Sequence, residues 1–214
     1  MSNEYKAMSN TVNLAVLLSG SGRTLQNFID RIQDCSLNAR IRIVISSEPD
    51  AYGLERAKKY NIPTAIVRFD DFKDDNSFSE AITEQIEKHS VDLITMAGFI
   101  RFYRIPDKYL GRVMNIHPGL IPAFCGKSYY GERVHRAVLE YGVKVSGCTV
   151  HLADNLYDQG PVIIQRVVPV FDNDTVETLA ERVFAEECIA YPEAIRLFAE
   201  GKLKIEGRKV KILS

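Results

Sequence analysis

Apolar positions along the chain fall into two rhythms: short unbroken runs, and longer stretches with an apolar residue every third or fourth place. Residues 12–18, Val-Asn-Leu-Ala-Val-Leu-Leu, form the first run, which closes in Ser19-Gly20-Ser21-Gly22. That pattern predicts a strand buried on both faces and then a turn. Leu25, Phe28, Ile29 and Ile32 follow at the i, i+3, i+4, i+7 spacing of a helix with one apolar stripe. The rhythms keep exchanging, with strands predicted at 41–45, 64–67, 91–97 and around 112–114, and helices at 53–60 and 78–88. Such alternation predicts an α/β fold, a Rossmann-like and mostly parallel sheet with helices on both faces. Ligands in such folds collect beyond the carboxyl ends of the strands.

Past Met114 the rhythm changes. Pro118, Gly119, Pro122, Gly126 and Gly131 punctuate a loop, a short helix is expected over 132–141, and strands are expected at 146–152 and 162–168. This part reads as a β-rich extension of the same sheet. Asp174 with Glu177 three residues on forms a capping-box pattern for a long last helix reaching about Phe198. With no linker, repeat or low-complexity stretch, residues 12–214 are expected to form a single domain. Residues 1–11 are polar, lack the apolar core of a signal peptide, and are expected to be a flexible tail.

Composition narrows the function classes. The 27 Lys and Arg nearly balance the 28 Asp and Glu over 214 residues, so charge supplies no pull toward nucleic acid or an anionic membrane. No apolar run approaches membrane-spanning length. Cys35, Cys125, Cys148 and Cys188 show neither paired spacing nor a fixed histidine partner, which points to free thiols in a reducing cytoplasm rather than to zinc or disulfides.

The residues with chemical potential cluster at predicted strand ends. Ser19 to Thr24 links a strand to a helix, so backbone N–H groups and the helix dipole converge where a phosphate could sit, with Arg23 adding charge; the segment equally reads as a tight turn. Its glycines match neither the dinucleotide nor the Walker pattern. Asn115 and His117 lie at i and i+2 of an extended chain and so project to one side. An amide there can stabilise an oxyanion and an imidazole can move a proton. Asp158, in the turn between the two late strands, can approach His117 and favour its imidazolium, although the turn alone suggests an ordinary turn aspartate. Glu187 falls on the apolar stripe of the last helix, where a carboxylate needs a partner or a cavity; a substrate contact and a buried ion pair both satisfy that. His89 reads as structural. His135 and His151 stay ambiguous, and neither makes a metal triad with His117 by spacing.

Taken together, several ordered stretches resemble the glycinamide ribonucleotide formyltransferases, folate-dependent enzymes of purine synthesis. They are Leu-Leu-Ser-Gly-Ser-Gly-Arg-Thr-Leu-Gln, Asp-Ala-Tyr-Gly-Leu-Glu-Arg-Ala, Asp-Leu-Ile-Thr-Met-Ala-Gly-Phe-Ile-Arg, Met-Asn-Ile-His-Pro-Gly-Leu-Ile-Pro and Val-His-Leu-Ala-Asp-Asn-Leu-Tyr-Asp-Gln-Gly-Pro, with Ala-Tyr-Pro in the last helix. The similarity runs from about Val12 to Leu203. It implies formyl transfer from 10-formyltetrahydrofolate to the amine of glycinamide ribonucleotide without a metal. His117 then corresponds to the catalytic histidine, Asn115 to the oxyanion-stabilising amide, and Asp158 to the carboxylate that tunes the histidine. Gly22, Arg23 and Thr24 match the phosphate-holding turn, and Glu187 a second contact to the ribonucleotide. Ile100, Arg101, Phe102 and Tyr103 match the pterin pocket, with Asn115 beside the folate and Asp154, Asn155, Leu156 and Tyr157 in the loop closing over it. The implied partners are these two small molecules, and neither nucleic acid nor membrane, for a monomer or homodimer.

The sequence departs from that pattern in places. Arg23-Thr24 replaces the usual Ser-Asn, Cys188 replaces a histidine after the helix glutamate, and the loop at 122–131 is longer than in better-known bacterial members. No arginine matches one that commonly lies near the folate, because residues 70–76 are acidic. A deformylase would share Asn, His and Asp and let water take the formyl group, but is expected to carry an added N-terminal domain. A methionyl-tRNA formyltransferase would need a further C-terminal domain, and sugar-nucleotide formyltransferases are a weaker match. A non-catalytic nucleotide- or folate-binding module would not require the three polar residues together.

Overall fold

The computed structural model describes residues 11–213, so the tail expected over 1–11 lies outside the described residues except for Thr11. Five strands and three helices alternate first: β1 (Val12–Leu18), α1 (Arg23–Gln33), β2 (Ala39–Ser46), α2 (Tyr52–Lys59), β3 (Thr64–Ile66), α3 (Asp75–Glu87), β4 (Leu93–Met96) and β5 (Val113–His117). Then come α4 (Glu132–Tyr141), β6 (Val145–Leu152), β7 (Val162–Pro169), α5 (Val176–Ala199), β8 (Leu203–Glu206) and β9 (Lys209–Ile212). The nine strands of the described residues join one sheet in the order β3-β2-β1-β4-β5-β6-β7-β9-β8. From β3 to β5 the pairing is parallel; β5–β6 and β6–β7 are antiparallel. The chain steps outward from β1 through β2 to β3 and returns to the other side of β1 at β4. That reversal opens a crevice at the carboxyl ends of β1 and β4.

Strand alternation divides the core between two faces. Leu14, Val16 and Leu18 of β1 meet Leu25 and Phe28 of α1, Leu54 of α2, Val134 of α4 and Leu179 and Val183 of α5. Ala15 and Leu17 point the other way, onto Phe78, Ile82 and Ile86 of α3. A strand buried on both faces is apolar wherever it is fully covered, here from Leu14 to Leu18, which is why that stretch does not alternate.

Two local features set the position of the crevice. Gly22 caps α1 at φ +68°, and a Cβ there would stand 2.5 Å from the Gly53 Cα, so the turn after β1 and the start of α2 touch backbone to backbone. Pro192 lies inside α5. Lacking an N–H, it leaves the Cys188 carbonyl without its helical partner, and Arg31 Nε donates to that oxygen at 3.1 Å instead, tying α5 to α1. One turn on, the Tyr191 hydroxyl lies 2.8 Å from the Met114 carbonyl and 3.1 Å from the Met96 carbonyl, beneath the ends of β5 and β4.

Two expectations need correction. The capping box of α5 is formed by Thr175 and Thr178, one residue beyond the predicted Asp174 and Glu177. Asp174 is drawn aside by the Phe171 N–H and by two hydrogen bonds from Arg182, at 2.7 Å each. The hairpin β8–β9, turning at Gly207, was not anticipated; its alternating Lys and apolar residues are mostly exposed and give little apolar signal.

Candidate active site

A cavity of about 740 Å³ opens at the carboxyl ends of β1, β4 and β5. Loops following β4, β5 and β6 wall it, with the start of α1 and one side of α5 completing the rim. Its size suits small molecules rather than a polymer.

At its centre Asn115, His117 and Asp158 come together. Asn115 and His117 share one side of β5, as their spacing requires. Asp158 reaches them from the loop between β6 and β7, where it holds φ +54°, a left-handed conformation that aspartate tolerates better than most side chains. Its Oδ2 lies 3.6 Å from His117 Nδ1 and accepts the Gly126 N–H at 2.8 Å. His117 Nε2 donates to the Phe124 carbonyl at 2.9 Å, which leaves the Nδ1 lone pair on the side of Asp158. Burial holds the His117 imidazole below its ordinary pKa of 6.5, against the opposing pull of Asp158. For Asp158 burial opposes the charge, but its neighbours, the His117 imidazole and the Gly126 N–H among them, outweigh it and hold the carboxyl below the usual range. The pair thus favours a carboxylate beside an imidazole free to accept a proton.

Gly22, Arg23 and Thr24 lie at one end of the cavity, at the N-terminus of α1. Arg23 is already engaged: its guanidinium makes two 2.6 Å hydrogen bonds to Glu181 of α5 and lies 3.9 Å over the Phe184 ring. Glu187 lines the same end. Burial pushes its carboxyl up to about 7, with Arg23 pulling weakly the other way. The buried ion pair considered for Glu187 is therefore not what forms there; Arg23 pairs with Glu181.

The other end is lined by Ile100, Arg101, Phe102, Asp154, Leu156 and Tyr157. The Phe102 and Tyr157 rings meet at 4.9 Å and join the two loops across the opening. Arg101 is steered by Glu48 at 3.1 Å and stacks over Phe69. Tyr103 borders the cavity, but its buried hydroxyl bonds to Thr83 at 2.9 Å, and burial pushes it up to about 12. Asn155 does not line the cavity: its amide grips the Ile105 backbone through bonds of 2.7 and 3.0 Å and braces the loop instead.

Four participants escaped the sequence reading: the Phe124 carbonyl and Gly126 N–H, which no side-chain pattern reveals, and Glu181 and Phe184 on α5. His135 and His151, left ambiguous there, both border the cavity. Among the described residues, no group of three or more His, Cys, Asp or Glu is arranged to hold a metal ion, and no helix is long and apolar enough to cross a membrane.

Residues 12–195 match the formyl transferase family. The chain is 36% identical over 196 residues to phosphoribosylglycinamide formyltransferase of Escherichia coli strain K12, covering 91% of this chain and 90% of that protein. It is 37% identical to the human trifunctional purine biosynthetic protein adenosine-3 over 99% of this chain but only 21% of that protein, so it spans about a fifth of that relative. Among solved structures, glycinamide ribonucleotide transformylase 1 from Symbiobacterium toebii superimposes with a TM-score of 0.90 at 43% identity, over 100% of this chain and 99% of that one. A formyltetrahydrofolate deformylase from Pseudomonas syringae shares the fold, with a TM-score of 0.85 at 22% identity over 96% of this chain and 67% of that one.

Proposed function

The chain belongs to the formyl transferase family, and from that premise we propose that it transfers the formyl group of 10-formyltetrahydrofolate to the primary amine of glycinamide ribonucleotide, in purine biosynthesis. The observation that carries the reading is the convergence of Asn115, His117 and Asp158 at the middle of a cavity whose two ends differ in chemistry. The end at Gly22, Arg23 and Thr24 offers backbone donors and a guanidinium, which suits the ribonucleotide phosphate. Glu187 stands beside it as an acceptor for ribose hydroxyls or the substrate amine. The end at Ile100, Arg101, Phe102 and Tyr157 offers apolar and aromatic surface, which suits a pterin ring, with Tyr103 beneath and Asp154, Asn155 and Leu156 shaping the loop above. We propose residues 12–214 as one catalytic domain, acting in the cytoplasm as a monomer or homodimer on small molecules.

The substrate amine attacks the formyl carbon, and the carbonyl oxygen takes up negative charge within reach of the Asn115 amide. A positioned donor of this kind contributes about 10²–10³ in rate. The ammonium that forms gives a proton to His117 Nδ1, where Asp158 Oδ2 stabilises the imidazolium, for a contribution of about 10²–10⁴. Collapse of the tetrahedral intermediate breaks the bond from carbon to N10 of the folate, and the proton taken up by His117 passes on to N10 as tetrahydrofolate leaves, which restores the neutral imidazole. Holding both substrates in one cavity supplies much of the remaining acceleration. No metal enters this scheme.

Exchange of His117 for alanine tests the assignment. Turnover should fall by about 10²–10⁴ while ribonucleotide binding, followed by calorimetry, stays close to wild type. Near-normal turnover in that variant would remove His117 from the mechanism.

A further inference from the structure

His151 is not among the residues to which a role has been given, yet it is 2% exposed and lies directly opposite Asn115 across the antiparallel β5–β6 pair. Side chains opposed in this way share one face of the sheet and stand close enough to bond. The register of β6 against β7 shifts between Val150 and His151, a local irregularity of the kind that re-aims a side chain.

The imidazole makes two contacts, and together they define its tautomer. Nδ1 lies 3.1 Å from the Leu152 carbonyl, which can only accept, so the proton resides on Nδ1. Nε2 then carries the lone pair, and 3.2 Å from it lies the amide nitrogen of Asn115, which can only donate. The Asp158 Oδ1 atom, 3.6 Å from Nε2, is beyond hydrogen-bond length, but it lies 3.5 Å from the same Asn115 nitrogen. One amide hydrogen is thus fixed on His151. Nε2 and Oδ1 stand on the same side of the amide nitrogen, 3.6 Å from each other, so the second amide hydrogen points away from both and toward the cavity.

From this arrangement we infer that His151 is a positioning residue for the formyl-transfer step: it fixes the rotation of the Asn115 amide so that the second N–H is aimed at the developing oxyanion. Without an acceptor at Nε2, the amide can turn its oxygen toward the cavity, where it would repel the negative charge it has to stabilise. The bond to His151 lies within the protein and needs no substrate atom, so it holds this orientation without reorganisation during the reaction. The inference rests on the formyl-transfer reading for its consequence but not for its geometry.

Three exchanges separate orientation from simple packing. Glutamine carries its terminal amide near the position of Nε2 and can accept the same hydrogen through Oε1; asparagine replaces only the Nδ1 donor; leucine fills the space with neither. The leucine and asparagine variants should lose about 10–100-fold in kcat, with KM for the ribonucleotide changing less than about threefold, and glutamine should recover most of the loss. A leucine variant with wild-type kcat, or a glutamine variant no better than leucine, overturns the proposal. Long-range ¹⁵N–¹H correlation of the imidazoles in the wild-type enzyme reads the geometry with no reference to turnover. It should show the Nδ1–H tautomer for His151, and the Nε2–H tautomer would also overturn it. If the enzyme failed to formylate the ribonucleotide at all, this second readout would still stand or fall independently.

Discussion

Exchange of His135 for leucine should remove part of the protein's sensitivity to acid. His135 lies on α4 beside Val134 and is 4% exposed, and its Nδ1 has no hydrogen-bond partner among the described residues. Burial pushes its imidazole down to about 4 from an ordinary 6.5, and the nearby His117 pushes in the same direction. The folded chain therefore keeps this ring neutral where an unfolded chain would protonate it. Its contribution to stability is intact above about pH 6.5 and is lost progressively as pH falls toward about 4. Between about pH 7.5 and about pH 5 the loss amounts to about 2 kcal/mol, since each unit of differential pKa is worth about 1.4 kcal/mol. Urea unfolding of wild type and of His135→Leu at both pH values measures it. Leucine fills similar space without an unsatisfied nitrogen, so at about pH 7.5 the two proteins should agree to within about 1 kcal/mol. At about pH 5 the variant should be the more stable by about 2 kcal/mol relative to that baseline. Carboxylates that titrate in both proteins cancel in the difference. Identical pH dependence in the two proteins would refute the reasoning, as would an excess loss in the variant.

Other substitutions probe the supports of the cavity. Tyr191→Phe leaves the Met96 and Met114 carbonyls without their buried donor and should cost about 1–2 kcal/mol by denaturant unfolding, with no change of fold by circular dichroism. Gly22→Ala drives a Cβ against the Gly53 backbone at a positive φ, so stability should fall by about 1–3 kcal/mol and KM for the ribonucleotide should rise more than KM for the folate. Glu181→Gln weakens the hold on Arg23, an exposed pair worth less than about 1 kcal/mol to stability. It should lower KM for the ribonucleotide by freeing the guanidinium for phosphate; a raised KM would mean that Glu181 presents Arg23 rather than competes for it.

The alternation of strand and helix through β5 was legible because strands buried on two faces and helices with one apolar stripe write distinct patterns, as at Val12–Leu18 and at Leu25, Phe28 and Ile29. The shared direction of Asn115 and His117 followed from strand geometry alone. What stayed hidden depended on register and on distant partners. Nothing in the chain states that residue 151 lies opposite residue 115, which is a property of how β6 docks on β5. The sequence shows that Arg23 adds charge to its turn but not that the charge is paired, because its partner Glu181 is 158 positions away. Backbone groups at Phe124 and Gly126 leave no trace in side-chain pattern at all. The cap of α5 slipped by one residue because Asp174 and Thr175 are both good capping residues, and the local fold gave Asp174 to Arg182.

Formyl transfer with glycinamide ribonucleotide present and absent tests the central claim most directly. Tetrahydrofolate release and formylated ribonucleotide are followed together from 10-formyltetrahydrofolate. The account predicts that the two products appear in equal amounts and only when the ribonucleotide is present. Tetrahydrofolate released with free formate in its absence, at a rate the ribonucleotide does not change, would contradict it.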